Sequence, residues 1–520
     1  MRLSKKLLTL LGDAAINYLL RVDFSTDDAS PVASPYAGEL GSLTVVQTDG
    51  TLAVASDVLS YTAQATPVDG DEGFVAASGL ARVAGRGLYF KMTPTTLNTY
   101  PAIGWNSAGT VPSTSFKAMF RVEATLSVND TGAVSLARTL TNSTTYEFYI
   151  VLLATGALLF AKGGVFTAWT LCWVVLSDTT ATLYPFFSNY NGVGNVDAVR
   201  VRDLPSPFND KSVLALVNKT SFSQALGAEL LTNGNFSAAW VAGDPPGWTE
   251  YNETGTDPEI TEVAAANTHG GGGTGAANIY ATAAAVGLYQ TILTADHLYE
   301  FSFEITARVS GTFGLYPGGS DSVDYSATAV GVYKRIARSK TGGAAYMPFT
   351  GGPIDMTVDN MTVKEITVNT AQAMPADAMI DYTFTLPASP VAGQQIKLAY
   401  RINASGDELS NCWDAYLQRN AGNTAWDFRV DSIAAGTRTN RVNVTGVGDV
   451  TVIRVVCSGS SHDYYTYVAG AWTKRGGTIT NSTYSTATLV NTIASSGFTE
   501  VSLAVYPLTN SAWDTELNRT

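Results

Sequence analysis

The chain has 520 residues and a mass of 54.8 kDa; 14% of residues are charged, 45% are hydrophobic, and the net charge is −13 with pI ≈ 4.7. At roughly 150 residues per domain this suggests about three domains, and charge well below the ~25% usual in globular chains implies a surface of hydroxyls and amides. The acidic balance argues against a phosphate-neutralising surface, hence against nucleic acid as a partner, and three histidines leave little scope for histidine catalysis.

Residues 1–20 (MRLSKKLLTLLGDAAINYLL) open the chain. Leu7, Leu8, Leu11, Ala14, Ala15 and Tyr18 recur at helical spacing and predict one short amphipathic helix over 1–21. Basic residues before an apolar stretch suit a signal peptide, but Asp13 and Asn17 interrupt it and no small-residue cleavage site follows, so retention is expected. The stripe reads as a docking or oligomerisation element anchored by Leu7, Leu8, Leu11 and Tyr18, or as a helix packed on its own first domain. No apolar run reaches 18 residues, so no membrane span is expected.

From there the pattern is almost wholly period two. Residues 42–47 and 51–55 flank Asp49-Gly50, a hairpin signal because glycine supplies the positive φ of the turn. Phe116, Ala118, Phe120 and Val122 alternate with Lys117, Met119, Arg121 and Glu123, as in a half-buried strand. Residues 147–153 and 157–162 turn about Thr155-Gly156, and 171–176 is expected to pair with 182–187 about Asp178. Short strands at this spacing specify a sandwich or jelly roll, here over 22–207 and closed by Pro205-Ser206-Pro207. Asp69, Asp71 and Glu72 read as an exposed turn.

A linker, 208–227, precedes a second β region over 228–368. It opens with Leu230-Leu231-Thr232-Asn233-Gly234-Asn235-Phe236, passes through Gly247-Trp248, and closes with Val358-Asp359-Asn360-Met361-Thr362-Val363-Lys364. Glycines 270–273 mark a loop. The third region, 369–520, repeats the logic of the first: Ile396, Leu398, Tyr400 and Ile402 alternate with Lys397, Ala399 and Arg401. Segments 170–187 and 451–468 echo each other as strand, polar turn and aromatic strand, and 196–202 echoes 358–364 as a closing strand. Cys172, Cys412 and Cys457 match neither a disulfide framework nor a zinc spacing.

The opening and closing motifs of 228–368 resemble those of carbohydrate-binding modules of the family 4 and 9 type, which are jelly rolls. The flanking domains look like the concanavalin A-like and laminin-G-like sandwiches of tailed-phage virion proteins, on residues 42–61 and on Asn411-Cys412-Trp413 with Asn420-Ala421-Gly422. The resemblance implies a virion structural protein: a capsid decoration, tail or fibre component. Its partners would be other virion proteins, copies of itself (a trimer is plausible) and host-surface glycans. The family's structural calcium would use Asp359, but Ser237 stands where such modules carry an acidic ligand, so the expected site is weaker or absent, since calcium takes six to eight oxygens. No other cofactor is expected.

Sugar contact needs aromatic platforms, and Trp248, Tyr251, Tyr280, Tyr289 and Tyr316 are the candidates; aromatics also dominate sandwich cores, which is the competing reading. No nucleophile elbow, zinc-protease motif, phosphate loop or facing carboxylate pair is visible, and no enzyme is expected. The alternative to a virion part is a secreted polysaccharide-binding protein or a glycosidase accessory module.

Overall fold

The computed structural model describes the chain except for residues 1–17, 25–35, 39–40, 48–50, 63–71, 98–100, 112–115, 131, 242, 265–274, 319–326, 340, 351–352 and 520. The fold is all-β, in tandem β-sandwiches, as the period-two patterning predicts; the described helices, Lys211–Leu214 and Ser511–Leu517, are short. Leu7, Leu8 and Leu11 of the expected helix lie outside the described residues. Tyr18 corrects that expectation: Tyr18–Val22 is a strand antiparallel to Val193–Asp203, with Tyr18, Leu20 and Val22 turned inward. Over five residues a helical stripe and an alternating one cannot be told apart, and pairing with a long strand decides.

The chain forms two compact units, the first made of residues 1–216 with 470–474 and 505–520. One of its sheets runs Phe166–Val175, Ala157–Gly163, Tyr146–Leu152, Arg86–Thr96, Val193–Asp203, Val58–Tyr61, Leu52–Ala55. The facing sheet runs Ala133–Thr139, Thr125–Asn129, Phe116–Arg121, Ala102–Asn106, Thr182–Asn189, Glu72–Ala76, Ser42–Gln47, Tyr36–Ala37. Rings meet across the gap: Phe120 and Phe148 at 4.9 Å, Tyr61 and Phe187 at 5.1 Å, and Phe74 and Phe90 at 6.2 Å. The Trp105 indole N–H donates across it to the Ile150 carbonyl at 3.2 Å. Helix Ser511–Leu517, capped by Asn510, docks here through Trp513, 5.2 Å from Phe160, and through Glu516, which accepts from Arg202 at 2.7 Å.

Strand existence was legible; strand partners were less so. The hairpin about Thr155-Gly156 forms, Leu152 opposite Ala157. The expected 42–47/51–55 hairpin does not, because Ser42–Gln47 pairs with Glu72–Ala76 in one sheet and Leu52–Ala55 with Val58–Tyr61 in the other. The turn of that second hairpin is Ser56-Asp57, both at positive φ as a primed turn requires. Likewise 171–176 and 182–187 fall in different sheets, so the echo with 451–468, a true hairpin, is not structural. Met119 belongs to an apolar cluster with Val75, Ala102 and Phe186, so the Phe116–Arg121 strand is covered on both faces. Glu72 is fully buried, not in an exposed turn, and accepts from Asn189 at 2.9 Å.

The second unit spans 217–469 and 475–504 and holds two sandwiches. In one, a sheet of Glu259–Ala264, Gly275–Ala281, Ile354–Thr367, His297–Ser310 and Gly331–Ser339 faces a sheet of Thr249–Tyr251, Val286–Leu293, Gly343–Thr350 and Tyr316–Pro317. Phe236, Trp248, Leu288, Phe301, Phe303, Phe313 and Val358 fill the space between. The opening and closing motifs meet there. Met361 N–H donates to the Gly234 carbonyl at 2.8 Å, and the Trp248 indole N–H to the Asn233 carbonyl at 3.0 Å. A side chain at Gly234 would place its Cβ 2.1 Å from the Met361 carbonyl oxygen, so only glycine fits this approach.

In the other sandwich, residues 499–504, Ala378–Thr385, Val450–Ser458 and Ser461–Val468 face Leu489–Ala494, Gln395–Ile402, Cys412–Arg419, Trp426–Ala434 and Thr437–Val444. Gln395–Ile402 is buried along its whole length, Lys397 and Arg401 included, which the alternating pattern did not foretell. For Lys397 and Ala399 the reason is a seam between the two sandwiches: Leu298, Ile336 and Ile366 of one pack on Ala399, Cys412, Ile433 and Ile493 of the other. Arg401, at positive φ beside a bulge, instead turns into its own sandwich and donates to the Gly459 carbonyl at 2.6 Å. Polar contacts border it, with Arg338 donating to the carbonyls of Gly406 at 2.6 Å and Glu408 at 2.7 Å.

Candidate functional site

Alternation along Val286–Leu293 turns Leu288 and Gln290 to the core and leaves Tyr289 on the outer face. Register then gathers its neighbours. Thr249 lies opposite Tyr289 and Tyr251 opposite Gly287. On the other side the backbone of Tyr346 lies opposite both Tyr289 and Tyr316. Residues directly opposite share a face, so Tyr251, Tyr289 and Tyr316 line one face of this four-stranded sheet. Tyr289 and Tyr316 are two strands apart, about 10 Å at the usual strand spacing. Tyr251 is 38% exposed and Tyr316 47%, enough to offer ring surface to a ligand.

The other two aromatic candidates are elsewhere. Trp248 is a core residue, stacked on Phe236 at 5.6 Å with its indole N–H engaged, because the Gly247 turn drives it inward. Tyr280 lies on the opposite sheet, in Gly275–Ala281, facing outward between Ile279 and Ala281.

Asp359, the calcium candidate, is fully buried opposite Glu304. One of its oxygens accepts from Asn360 N–H at 2.7 Å; Oδ2 has no hydrogen-bond partner among the described residues. Burial, opposed in part by that bond and reinforced by Glu304, pushes its carboxyl up to about 6. Ser237 offers nothing here: its hydroxyl donates to Asn235 at 2.9 Å. The described side chains supply two carboxylates, and no three His, Cys, Asp or Glu residues among them group as metal ligands, short of the six to eight oxygens of a calcium shell.

A second polar constellation escaped sequence reading. Lys397, Asp414, Tyr416 and Asp431 project from one face of neighbouring strands, joined by Arg438. Lys397 Nζ donates to Asp414 Oδ2 at 2.9 Å, and Asp431 accepts from Arg438 at 3.1 Å, Tyr416 at 2.9 Å and Asn440 at 3.1 Å. Burial pulls the Lys397 amine down to about 8 against the attraction of Asp414. Burial alone would raise Asp431, but Arg438 and Lys397 outweigh it and hold the carboxyl low. Two carboxylates so committed to cations do not form the acid and base of glycoside hydrolysis, which needs one proton-bearing member. The signal available in the sequence was Asp414, Tyr416 and Gln418 at alternate positions.

His462 is stacked on Trp413 at 4.3 Å and shares hydrogen bonds with Tyr400 and Arg401 at 3.1 Å each. Burial and Arg401 lower it to about 3, so it is neutral at physiological pH. Its neighbour Cys457, 4.0 Å away, is pushed up to about 12 by burial, which leaves no thiolate to act as nucleophile. His297 pairs with Glu365 at 2.7 Å on the surface. No described helix is long and apolar enough to cross a membrane.

No family model and no curated protein matches the chain. Solved structures similar to part of it include one from work on endo-acting O-glycanases that human gut microbiota express to initiate mucin breakdown (12% identity, 36% of this chain and 100% of that one, TM-score 0.27). Lectin II from Ulex europaeus is another (10% identity, 34% and 99%, TM-score 0.25). A third is domain 4 of AbnA, an extracellular arabinanase from Geobacillus stearothermophilus, in complex with arabinotriose (10% identity, 36% and 93%, TM-score 0.24).

Proposed function

We propose that this chain is a non-enzymatic, glycan-contacting β-sandwich protein and, more finely, a structural component of a phage virion that meets host-surface glycans alongside other virion proteins and copies of itself. The carrying observation is the single face that presents Tyr251, Tyr289 and Tyr316. Tyrosine pairs an apolar ring with a polar tip, which suits a sugar's C–H face and hydroxyl edge. The low charge supports the assembly reading, since few long charged side chains must be ordered when such surfaces pack against neighbours.

A glycan array with the full chain, repeated with Tyr289→Ala and Tyr316→Ala, tests the glycan reading: both variants should lose the wild-type signals, and unchanged signals would refute it. The virion reading is tested by mass spectrometry of purified particles, which should contain the chain. A stable monomer by light scattering, absent from every particle, would count against it.

A further inference from the structure

We propose that a groove in the second unit, between residues 220–226 and the turn at 494–500, binds a neutral saccharide unit at a site separate from the tyrosine face. The two share neither residues nor sheet, and the groove goes beyond the proposed function rather than restating it. Its volume is about 530 Å³, within the roughly 300–1,000 Å³ of small-molecule sites.

The lining mixes two phenyl rings, Phe222 and Phe498, with polar side chains, and it is firmly held. Phe498 packs 5.4 Å from Trp426 and meets Phe384 edge-on at 6.3 Å. Phe222, half-buried on the other side, carries the Lys219 ammonium 5.1 Å from its ring centre. The strand-like segment bearing Phe222 is pinned rather than loose. Asn369 accepts from the backbone N–H of Ser223 at 2.8 Å and Gln224 at 3.1 Å, and the Gln224 amide oxygen accepts from Ala494 N–H at 2.9 Å. A groove built this way needs little ordering when a ligand enters.

The rim is polar. Thr220 and Thr499 are exposed there, and Glu500 is fixed by Tyr382, whose hydroxyl donates to it at 2.8 Å. A carboxylate oxygen has further lone pairs to accept from a sugar hydroxyl. A pyranose has one C–H-rich face for a phenyl ring and an edge of hydroxyls for such acceptors. Lys219 lies close enough to Glu500 to attract it, so the pair adds no net charge beside the groove.

The test is titration calorimetry and saturation-transfer NMR of the full chain against glucose, galactose, mannose, N-acetylglucosamine and their trimers, with Phe222→Ala, Thr220→Trp and Tyr289→Ala variants. Phe222→Ala should weaken binding at one site about tenfold, a change of ~1.4 kcal/mol, and Thr220→Trp should block the same site by filling its mouth. Tyr289→Ala should leave that site intact. Binding untouched by Phe222→Ala and Thr220→Trp but lost in Tyr289→Ala would overturn the groove while sparing the tyrosine face. Binding lost only in the groove variants would do the reverse. No binding of any sugar by the wild type would overturn both.

Discussion

The Lys397 ammonium and the Asp414 carboxylate lie 2.9 Å apart with side chains 1% and 0% exposed, beneath the seam of two sandwiches. The second Asp414 oxygen has no hydrogen-bond partner among the described residues, and the amine sits 3.8 Å from the centre of the Tyr416 ring. Such a pair is costly to break from one side, because the remaining carboxylate has no water to turn to and keeps the more distant Arg438, at 3.4 Å, in place of the lysine. Lys397→Met should therefore destabilise the second unit by about 3–5 kcal/mol, read from urea unfolding. Lys397→Met with Asp414→Leu should recover much of the loss, and additive losses in the double variant would show that the two charges do not depend on each other.

The same lysine gives a pH signature. Its amine is pulled from 10.5 to about 8 in the folded chain. Between those values the unfolded chain binds more protons, so this group makes stability rise with pH from about 8 to 10.5. Melting temperatures over that window should show the rise in wild type and lose this component in Lys397→Met.

Asp359 has the opposite slope. Its carboxyl lies at about 6 when folded against 3.8 as the reference, so between these the folded state binds more protons and stability falls as pH rises toward 6. Asp359→Asn should raise the melting temperature at pH 7 and flatten the profile below 6. With two carboxylates and, among the described residues, no third such ligand grouped beside them, melting should also be indifferent to calcium and to chelator. A calcium-dependent rise lost in Asp359→Asn would show that backbone oxygens complete a site.

Gly234→Ala should destabilise the middle sandwich by about 1–3 kcal/mol, because the new methyl would collide with the Met361 carbonyl oxygen. Thermal unfolding followed by tryptophan fluorescence reads this directly, since Trp248 is bonded to the adjoining turn. An unchanged midpoint would mean that the opening and closing motifs can separate freely.

Alternation disclosed most strands, whereas the meeting of the segments around Gly234 and Met361 came from the tertiary structure. Of the five aromatic candidates, Tyr251, Tyr289 and Tyr316 share a face, while Trp248 and Tyr280 do not. Sequence could not sort them, because an aromatic in a sandwich strand satisfies core and rim alike until register fixes its face.

The low charge and period-two pattern determined by themselves that this chain would be a string of β-sandwiches with few charges on their surfaces. Tertiary structure alone decided which strands are partners, since successive strands of a sandwich change sheets as readily as they form hairpins: Ser42–Gln47 and Leu52–Ala55 part company despite the Asp-Gly between them. It also decided where the rare charges count. Lys397 reads as the solvent side of an alternating strand, yet a second sandwich covers that face, and burial turns an ordinary surface pair into a structural one.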